Sequence, residues 1–514
     1  MLTLLSLMVL SSPSAHADFC KSFEVCDNNI DDDCDGKIDE GCRGTGGGLG
    51  GGGGIELPVA PVGPGPSDFY PIGDLFITAR SASGTTQGMF SSAVAARGAG
   101  ASCLMDLSSG LPERDMSFEE LCGHAGAALI EGDAAHDIAM GAAAASDLDG
   151  DGEAEWFIGS AFNDASSLGE TGVVYSLGGG LSGEYAMPGD ARSTIQGLTD
   201  GSMTGWTLLG GQDFDGDGSQ DLVISAPQEG WVYGDGGAVY LLSGGTTSAT
   251  SVRDANTAFF GEAREDGLGG AVAAADLDGD GLANLIIGAS GSDVGATDGG
   301  AVTIITDANG WQWVGDAGHT LVGTYADGFA GVSVAAAGDV DGDGYEDALA
   351  GSPGAGGDYG VAYLISGGRG FSAGDISSLR EHAEMLIGDR GDTAGVAVSG
   401  AGDVDEDGRA DVWVGAPGNN GDTGVAYLVL GADLSGPGGY LYLSREASAF
   451  IEGDDAGDAM GAGVQGDTDI NSDGYPDLLL FAAGATGASG EAGVLYFGQT
   501  SPVSTESRGS SSRE

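Results

Sequence analysis

The sequence predicts an all-β fold, a β-propeller assembled from repeats of roughly sixty-odd residues. An Asp-rich loop of nine residues recurs six times, at offsets in the low to mid sixties. About four short apolar strands accompany each loop, and no helical period of 3.6 residues is present. Glycine accounts for 101 of the 514 residues, and it accepts the positive φ of tight turns without steric cost. Because one four-stranded sheet cannot bury both of its faces, such repeats must pack around a common axis.

The segments around each loop follow a fixed order, shown by the fourth repeat. A small-residue motif, Phe329-Ala330-Gly331, precedes the loop, and a strand ending in Gly351-Ser352-Pro353 follows it. A second strand comes next, at Val361–Leu364, and an outer strand, Met385–Ile387, leads into the next repeat. The order therefore predicts the four strands of one propeller blade.

These motifs resemble FG-GAP repeats, the units of the integrin α-subunit propeller, over about residues 129–498. The resemblance implies a seven-bladed β-propeller, with six clear FG-GAP-like repeats and one degenerate N-terminal blade. We place that blade at about 90–132, with strands near Ser91–Ala96 and Cys103–Leu107 and no Asp loop. The last repeat ends at its third strand, so Asp74–Ala79 is the predicted outer strand that closes the ring. A six-bladed ring with an N-terminal cap is the alternative.

The remaining segments predict an exported protein with a small N-terminal unit. Residues 1–17 have an apolar core and end in Ala15-His16-Ala17, which is typical of a cleaved signal peptide. Residues 18–42 form a Cys- and Asp-rich metal-binding motif, and the Gly- and Pro-rich residues 43–66 form a linker. The propeller occupies 67–499, and the Ser-rich residues 500–514 are predicted to be a disordered tail.

Each loop follows the pattern Asp-x-Asp-x-Asp-Gly-x-x-Asp, which predicts a calcium site. Side chains at positions one, three, five and nine converge, the carbonyl at position seven joins them, and glycine at position six makes the turn. Hard oxygen ligands favour Ca²⁺ over zinc or copper, and the tighter geometry of Mg²⁺ disfavours it. A single Asp-Gly run could be only a turn, whereas six in register favour calcium. The pattern lacks the distal Glu of an EF-hand loop.

The predicted ligands of the six loops, with position seven contributing its carbonyl, are Asp147, Asp149, Asp151, Glu153 and Glu155; Asp213, Asp215, Asp217, Ser219 and Asp221; Asp276, Asp278, Asp280, Leu282 and Asn284; Asp339, Asp341, Asp343, Tyr345 and Asp347; Asp403, Asp405, Asp407, Arg409 and Asp411; and Asp469, Asn471, Asp473, Tyr475 and Asp477. The third and sixth loops replace one carboxylate with an amide, at Asn284 and Asn471. We therefore expect these two loops to bind calcium more weakly. The fifth loop carries Glu406 at position four, where the other loops have Gly or Ser.

The N-terminal unit contains a further loop of the same kind, formed by Asp31, Asp33, Asp35, Lys37 and Asp39. It lies within a Cys-x5-Cys-x7-Cys-x7-Cys pattern and resembles the MopE-type metal-binding repeat of bacterial surface proteins. Its oxygen ligands favour calcium. The four cysteines are predicted to form two disulfides in an exported chain, with cysteine–metal ligation as the alternative. Cys103 and Cys122 either form a disulfide in the N-terminal blade or remain two buried thiols.

The charge distribution limits the function. A formal net charge of −62 makes nucleic acid and anionic membranes poor partners, and no segment after the signal is long and apolar enough for membrane insertion. We predict a secreted or cell-envelope protein that acts in adhesion, binding or scaffolding, with a surface protein or glycan as its partner. An extracellular lyase or hydrolase that uses acids in the propeller funnel is the alternative. Arg390-Gly391-Asp392 matches the tripeptide that integrins recognise, but the abundance of Gly and Asp favours a chance match.

Overall fold

The computed structural model describes residues 74–80, 86–92, 101–106, 128–131 and 143–495, apart from 153, 164–170, 179–180, 182, 231–235, 247–248, 454–455, 469–475 and 483–490. All described residues belong to one compact unit. The predicted signal peptide, the N-terminal metal motif and the linker lie outside the described residues.

The described secondary structure is almost entirely β. The strands are β1 (Asp74–Arg80), β2 (Thr86–Ser92), β3 (Ala101–Asp106), β4 (Ala128–Glu131), β5 (Ala143–Ser146), β6 (Glu155–Ser160), β7 (Val173–Leu177), β8 (Gly183–Ala186), β9 (Ser193–Gln196), β10 (Leu208–Gln212), β11 (Asp221–Ala226), β12 (Ala238–Leu242), β13 (Thr257–Phe260), β14 (Ala271–Ala275), β15 (Asn284–Ala289), β16 (Ala301–Ile305), β17 (Trp311–Trp313), β18 (His319–Val322), β19 (Val334–Gly338), β20 (Asp347–Ser352), β21 (Val361–Ile365), β22 (Ile376–Ser378), β23 (Ala383–Ile387), β24 (Ala397–Gly402), β25 (Asp411–Ala416), β26 (Val425–Val429), β27 (Tyr440–Tyr442), β28 (Ala449–Glu452), β29 (Met460–Thr468), β30 (Asp477–Ala482) and β31 (Glu491–Leu495). Helical turns of three or four residues occur at Val252–Asp254, Val314–Ala317, Ala355–Asp358, Leu379–His382, Asn419–Asp422, Gly431–Asp433 and Leu443–Glu446.

Within the described residues these strands form seven sheets. In order of their first strands they are β1-β2-β3-β4-β8, β5-β6-β7-β9, β10-β11-β12-β13-β17, β14-β15-β16-β18-β22, β19-β20-β21-β23-β27, β24-β25-β26-β28 and β29-β30-β31. We number them as the first to the seventh sheet. The first strand of each sheet is its inner strand, and in the six sheets with at least four described strands the fourth is the outer strand.

The inner strands pack against one another in sequence. Contacts join β1 to β5, β5 to β10, β10 to β14, β14 to β19, β19 to β24 and β24 to β29. This succession of sheets, whose first three or four strands pair antiparallel, around their inner strands confirms the predicted all-β propeller. The first sheet supplies the additional N-terminal sheet expected from the sequence. A closing contact between the last and first sheets, and hence the number of blades in the ring, stays a prediction.

The N-terminal strands differ from the prediction in two respects. The strand expected at Asp74–Ala79 does not belong to the last sheet; as β1 it pairs antiparallel with β2, with Asp74 opposite Ser92. Only five residues separate β1 from β2, so this hairpin closes with little loss of loop entropy. The strand expected at Ser91–Ala96 lies earlier, in β2. The last sheet contains three strands in the described part of the chain.

Four of the sheets contain a fifth strand that the sequence pattern does not predict. The segment between the third and fourth strands of one repeat forms a short strand that pairs in parallel with the outer strand of the preceding sheet. We call β8, β17, β22 and β27 the cover strands; they pair with β4, β13, β18 and β23, respectively. Each cover strand therefore links two consecutive sheets by backbone hydrogen bonds.

The core lies between neighbouring sheets, and it requires small residues near the inner strands. Phe259 and Ile287, from the third and fourth sheets, belong to one buried apolar cluster. A Cβ atom added to Gly288 would lie 2.0 Å from the carbonyl oxygen of Gly331, which itself has a φ of 85°. The glycine of the Phe-Ala-Gly motif thus packs directly against the glycine of the preceding turn, which explains why both motifs recur together.

Candidate metal centres

Five of the six Asp loops bring three carboxylates together between the first and second strands of consecutive sheets. In each group, one oxygen from every member lies within 4.8 Å of the others. The groups are Asp147, Asp149 and Glu155; Asp213, Asp215 and Asp221; Asp276, Asp278 and Asp280; Asp339, Asp341 and Asp347; and Asp403, Asp405 and Asp411. The sheets that carry them are the second to the sixth, so the candidate sites repeat at one end of consecutive sheets.

The first aspartate of each loop organises the turn. In the fourth loop the two carboxylate oxygens of Asp339 accept hydrogen bonds from the N–H groups of Gly342, at 2.8 Å, and Gly344, at 2.9 Å. These glycines have φ values of 76° and 94°, which L-residues rarely adopt. The chain therefore wraps around the Asp339 carboxylate, and the sequence Asp-x-Asp-Gly-Asp-Gly fixes this local conformation.

The residue at position nine is buried where the second strand begins. Asp347 accepts hydrogen bonds from the N–H of Val340 at 2.9 Å and from the N–H of Gly367 at 2.8 Å. Burial outweighs these bonds and raises the pKa of Asp347 to about 6. The pKa values of Asp221 and Asp411 are raised to about 6 for the same reason. Burial, followed by the charge of Asp149, also raises the pKa of Glu155. A cation beside these buried carboxylates would oppose the effect of burial.

Four of the position-five carboxylates have a separate local hydrogen bond. Asp217, Asp280, Asp343 and Asp407 each accept from the backbone N–H of position seven, at 2.7, 2.8, 3.0 and 2.9 Å, respectively. Of these four, only Asp280 belongs to one of the close groups. The structure therefore brings together positions one, three and nine in four loops, and positions one, three and five in the third loop.

The donor set fits a hard cation. Every charged group in the five clusters offers a carboxylate oxygen, which suits calcium rather than a soft metal. In the first loop, Oδ1 of Asp147 is buried and has no hydrogen-bond partner among the described residues, although its Oδ2 accepts from the N–H of Gly152 at 2.9 Å. A buried, unsatisfied carboxylate oxygen is costly unless a cation or water completes it. The site residues thus match the predicted chemistry, while the identity of the metal and the carbonyl ligands at position seven stay predictions.

The loops differ where the sequence differs. Asn284 replaces Asp at position nine of the third loop and keeps the same structural bond, accepting from the N–H of Leu277 at 2.8 Å. Glu155 in the first loop lies 3.6 Å from the Arg192 guanidinium, an exposed cation that neutralises part of its charge. Glu406, at position four of the fifth loop, has a φ of 59°. This left-handed conformation is strained for glutamate.

Position eight, which the loop pattern leaves open, connects consecutive loops. Gln220 Oε1 accepts from the N–H of Asp147 at 2.8 Å, and Glu346 Oε2 accepts from the N–H of Asp276 at 2.8 Å. In the next pair, the N–H of Ala410 donates to the carbonyl of Asp339 at 2.8 Å. In these three pairs, position eight of one loop therefore contacts position one of the preceding loop. No sequence signal marks this contact, because Gln, Glu and Ala make it through different atoms.

Several predicted ligands lie outside the described residues. They are Glu153, the sixth-loop residues Asp469, Asn471, Asp473 and Tyr475, and the N-terminal set Asp31, Asp33, Asp35, Lys37 and Asp39. The side chains of all six cysteines also lie outside the described part, so the predicted disulfides stay predictions. Asp477 is described and is 2% exposed at the start of β30.

The Arg-Gly-Asp tripeptide does not present its carboxylate to solvent. Asp392 is 3% exposed, and it accepts hydrogen bonds from the N–H of Asp389 at 2.8 Å and from Asn419 Nδ2 at 3.0 Å. The aspartate therefore has a structural role in the loop that leads into β24. Separately, no helix within the described residues combines the length and the apolar character needed to cross a membrane.

Comparisons with known proteins agree with the repeat motifs. The FG-GAP repeat family model matches residues 204–242 and 268–305. Human integrin alpha-IIb (Homo sapiens) is 30% identical over 217 residues, 40% of this chain and 19% of that protein. Integrin alpha-PS2 of Drosophila melanogaster is 29% identical over 229 residues, 43% of this chain and 16% of that protein. Integrin alpha pat-2 of Caenorhabditis briggsae is 29% identical over 266 residues, 48% of this chain and 21% of that protein.

These matches show that the chain is similar to integrin α subunits and that two of its segments match the FG-GAP repeat. The chain covers about a fifth of the length of these relatives. The two segments that match the FG-GAP repeat model contain the second and third Asp loops. All three relatives are integrin α subunits.

Proposed function

We propose that this protein is an exported, calcium-binding β-propeller that acts as an adhesion, binding or scaffold module at the cell surface or in the cell envelope. The observation that carries the proposal is the repetition of one carboxylate cluster in five consecutive sheets. A single acidic turn is common in proteins, but five clusters at the same point of the repeat indicate a shared ligand. The similarity to integrin α subunits supports a binding role rather than a catalytic one.

Calcium would be structural in this proposal. At each site the ion would supply positive charge to three clustered carboxylates that otherwise repel one another. The loop residues would hold the ion between two strands, and the position-eight contacts would connect neighbouring sites. A rigid ring edge of this kind presents a constant surface to an extracellular surface protein or glycan.

A binding experiment with matched variants tests this function. The chain without the predicted signal peptide is immobilised, and binding of cell-surface protein and glycan fractions is measured with calcium, magnesium or a chelator. The loop variant combines Asp215→Asn, Asp341→Asn and Asp405→Asn. The control variant combines Glu184→Gln, Asp316→Asn and Glu381→Gln, three exposed acids outside the loops, so that the change in net charge is equal.

We expect calcium-dependent binding that the control variant retains and the loop variant loses. Failure to bind any surface fraction, with or without calcium, would contradict the binding role. Equal binding by the two variants and in chelator would instead contradict the calcium-dependent part of the proposal.

A further inference from the structure

Five outer strands pair in parallel with a segment of the next repeat, and all five share one feature where this pairing ends. The residue of that segment that lies opposite the last residue of the outer strand is followed by a buried apolar side chain, which we call the anchor. The opposed pairs are Glu131 with Ala186, Gln196 with Ser251, Phe260 with Trp313, Val322 with Ser378 and Ile387 with Tyr442. The corresponding anchors are Met187, Val252, Val314, Leu379 and Leu443, all at most 8% exposed.

The sixth sheet departs from this rule among the described residues. Its outer strand β28 pairs with β26 and has no described cover strand. By register, Phe450 opposite Tyr427 corresponds to Met385 opposite Tyr363. Phe450 is 51% exposed, whereas Met385 is 8% exposed.

The next residue of β28 shows the same difference. Ile451 is only partly buried. The equivalent middle residues of the covered outer strands, namely Ile130, Ile195, Phe259, Leu321 and Leu386, are at most 2% exposed. β28 therefore has apolar side chains at the same positions as the outer strands that pair with a cover strand, but these side chains are more exposed.

The repeat order identifies the segment that would cover β28. Each cover comes from the following repeat, after its third strand, so the cover of β28 would follow β31, which ends at Leu495. Val503 is the only aliphatic or aromatic residue in 498–514. It follows Leu495 by eight residues, one fewer than the nine that separate Ile305 from its anchor Val314. We propose that Thr500–Pro502 pairs in parallel with Phe450–Glu452 and that Val503 is the buried anchor.

The proline in this segment is consistent with the register. A parallel ladder uses every second residue of a strand to bond to one neighbour. In the fourth sheet the N–H of Thr320 donates to the carbonyl of Asp375 at 2.9 Å, so Ser377 also bonds to β18 and the N–H of Ser378 points away. Pro502 would occupy the position of Ser378. The missing N–H of proline therefore costs no ladder hydrogen bond there.

Residues 500–503 would then have a structural role, in place of the disordered tail expected from their composition. The occupant is this chain's own segment rather than a partner's strand, because every other described cover is supplied by the next repeat in the same chain. An uncovered apolar edge strand would otherwise be a site for pairing with other molecules.

Amide hydrogen exchange on the full chain, with calcium present, tests the pairing. We expect Val503→Asp to accelerate exchange at Glu452, whose N–H the cover would bind, by about tenfold or more. Ser510→Asp, which adds the same charge further along the tail, should leave exchange unchanged, as should Val503→Ile. Equal exchange at Glu452 in the wild type and in Val503→Asp would overturn the proposal.

A cysteine pair tests the register and the identity of the occupant. Neighbouring strands lie within disulfide distance, so Phe450→Cys combined with Thr500→Cys should oxidise within one chain. Phe450→Cys combined with Ser511→Cys is the control and should not, as judged by peptide mass. A cross-linked dimer would show that a second copy supplies the strand, and absence of any cross-link together with unchanged exchange would overturn the pairing altogether.

Discussion

The backbone N–H of Asp276 donates a hydrogen bond to the carboxylate of Glu346 at 2.8 Å, so the third and fourth Asp loops are joined directly. The N–H of Glu346 also donates to the carbonyl of Asp276, at 3.3 Å. Tyr345, the neighbour of Glu346, lies so close to Gly279 that a Cβ atom there would be 2.6 Å from its ring. Because Asp276 is the first predicted ligand of the third loop, a residue of the fourth loop helps to position a candidate site to which it contributes no ligand.

This contact predicts an effect of Glu346 on the neighbouring site. Glu346→Ala removes the acceptor and should destabilise the protein by about 1 kcal/mol, while lowering calcium affinity at the third loop. Glu346→Gln should retain both the stability and the calcium affinity, because Gln220 makes the equivalent bond to Asp147 through an amide oxygen at 2.8 Å. Denaturant unfolding and calcium titration measure the two effects. Equal losses in the Ala and Gln variants would show that charge, rather than the hydrogen bond, is responsible.

Removal of calcium should lower thermal stability strongly. Each site that binds only the folded state adds about 2.7 kcal/mol when the free ion is a hundred times the dissociation constant. Five clusters occur in the described residues, so a chelator should lower the melting midpoint by many degrees. Calorimetry with calcium, magnesium and chelator provides the measurement. An unchanged midpoint in chelator would mean that the loops are acidic turns, and full recovery by magnesium would contradict the choice of calcium.

The amide at position nine should make the third site weaker than the fourth. Asn284 and Asp347 occupy the same buried position, and each accepts the N–H of position two. Asn284→Asp adds a charged ligand and should tighten calcium binding at the third loop on the order of tenfold. Asp347→Asn should weaken the fourth loop by a similar factor. Isothermal titration of both variants tests this reciprocity, and tighter binding by Asp347→Asn would refute the ranking.

Proton binding should compete with calcium near pH 6. The folded-state pKa values of Asp221, Asp347 and Asp411 are raised from 3.8 to about 6 by burial, so in the metal-free protein these residues bind protons more tightly when folded. Their contribution to metal-free stability is therefore fully present below about pH 4 and is lost as the pH rises through 6. Calcium requires the ionised form, so its affinity should fall as the pH drops below about 6.

Calcium titrations at pH 7.5, 6 and 5 provide the measurement. Asp347→Asn should reduce the pH dependence at the fourth loop, because this variant has no proton to release there. A calcium affinity that is constant between pH 7.5 and 5 would contradict the assignment of these buried carboxylates to the sites.

The Asp loops could be located from the sequence because each is encoded locally, within nine residues. The cover strands could not, since β17 and β22 have only three residues each and pair with strands about 55 residues earlier in the chain. Trp311-Gln312-Trp313 and Ile376-Ser377-Ser378 share no pattern that would mark them as equivalent. The hairpin of β1 and β2 was missed for a different reason. Asp74–Ala79 was needed to complete the last sheet in the expected ring, although its nearest pairing partner lies five residues away.

The fifth loop offers a direct test of backbone strain at position four. Glu406 has a φ of 59°, whereas Gly342 has a φ of 76° at the same position of the fourth loop. A left-handed conformation costs an L-residue about 1 to 2 kcal/mol, so Glu406→Gly should raise the free energy of unfolding by about 1 kcal/mol after the greater entropy of unfolded glycine is included. Glu406→Gln removes the charge but keeps the strained backbone, so it should raise the free energy of unfolding by less.

The opposite kind of change, Gly342→Ala, should lower the free energy of unfolding by about 1 kcal/mol. The nearest atom to the new Cβ is 3.4 Å away, so backbone strain rather than a steric clash decides the effect. Denaturant unfolding in saturating calcium measures all three variants, and a destabilised Glu406→Gly would show that the glutamate side chain makes a stabilising contact that outweighs its backbone strain.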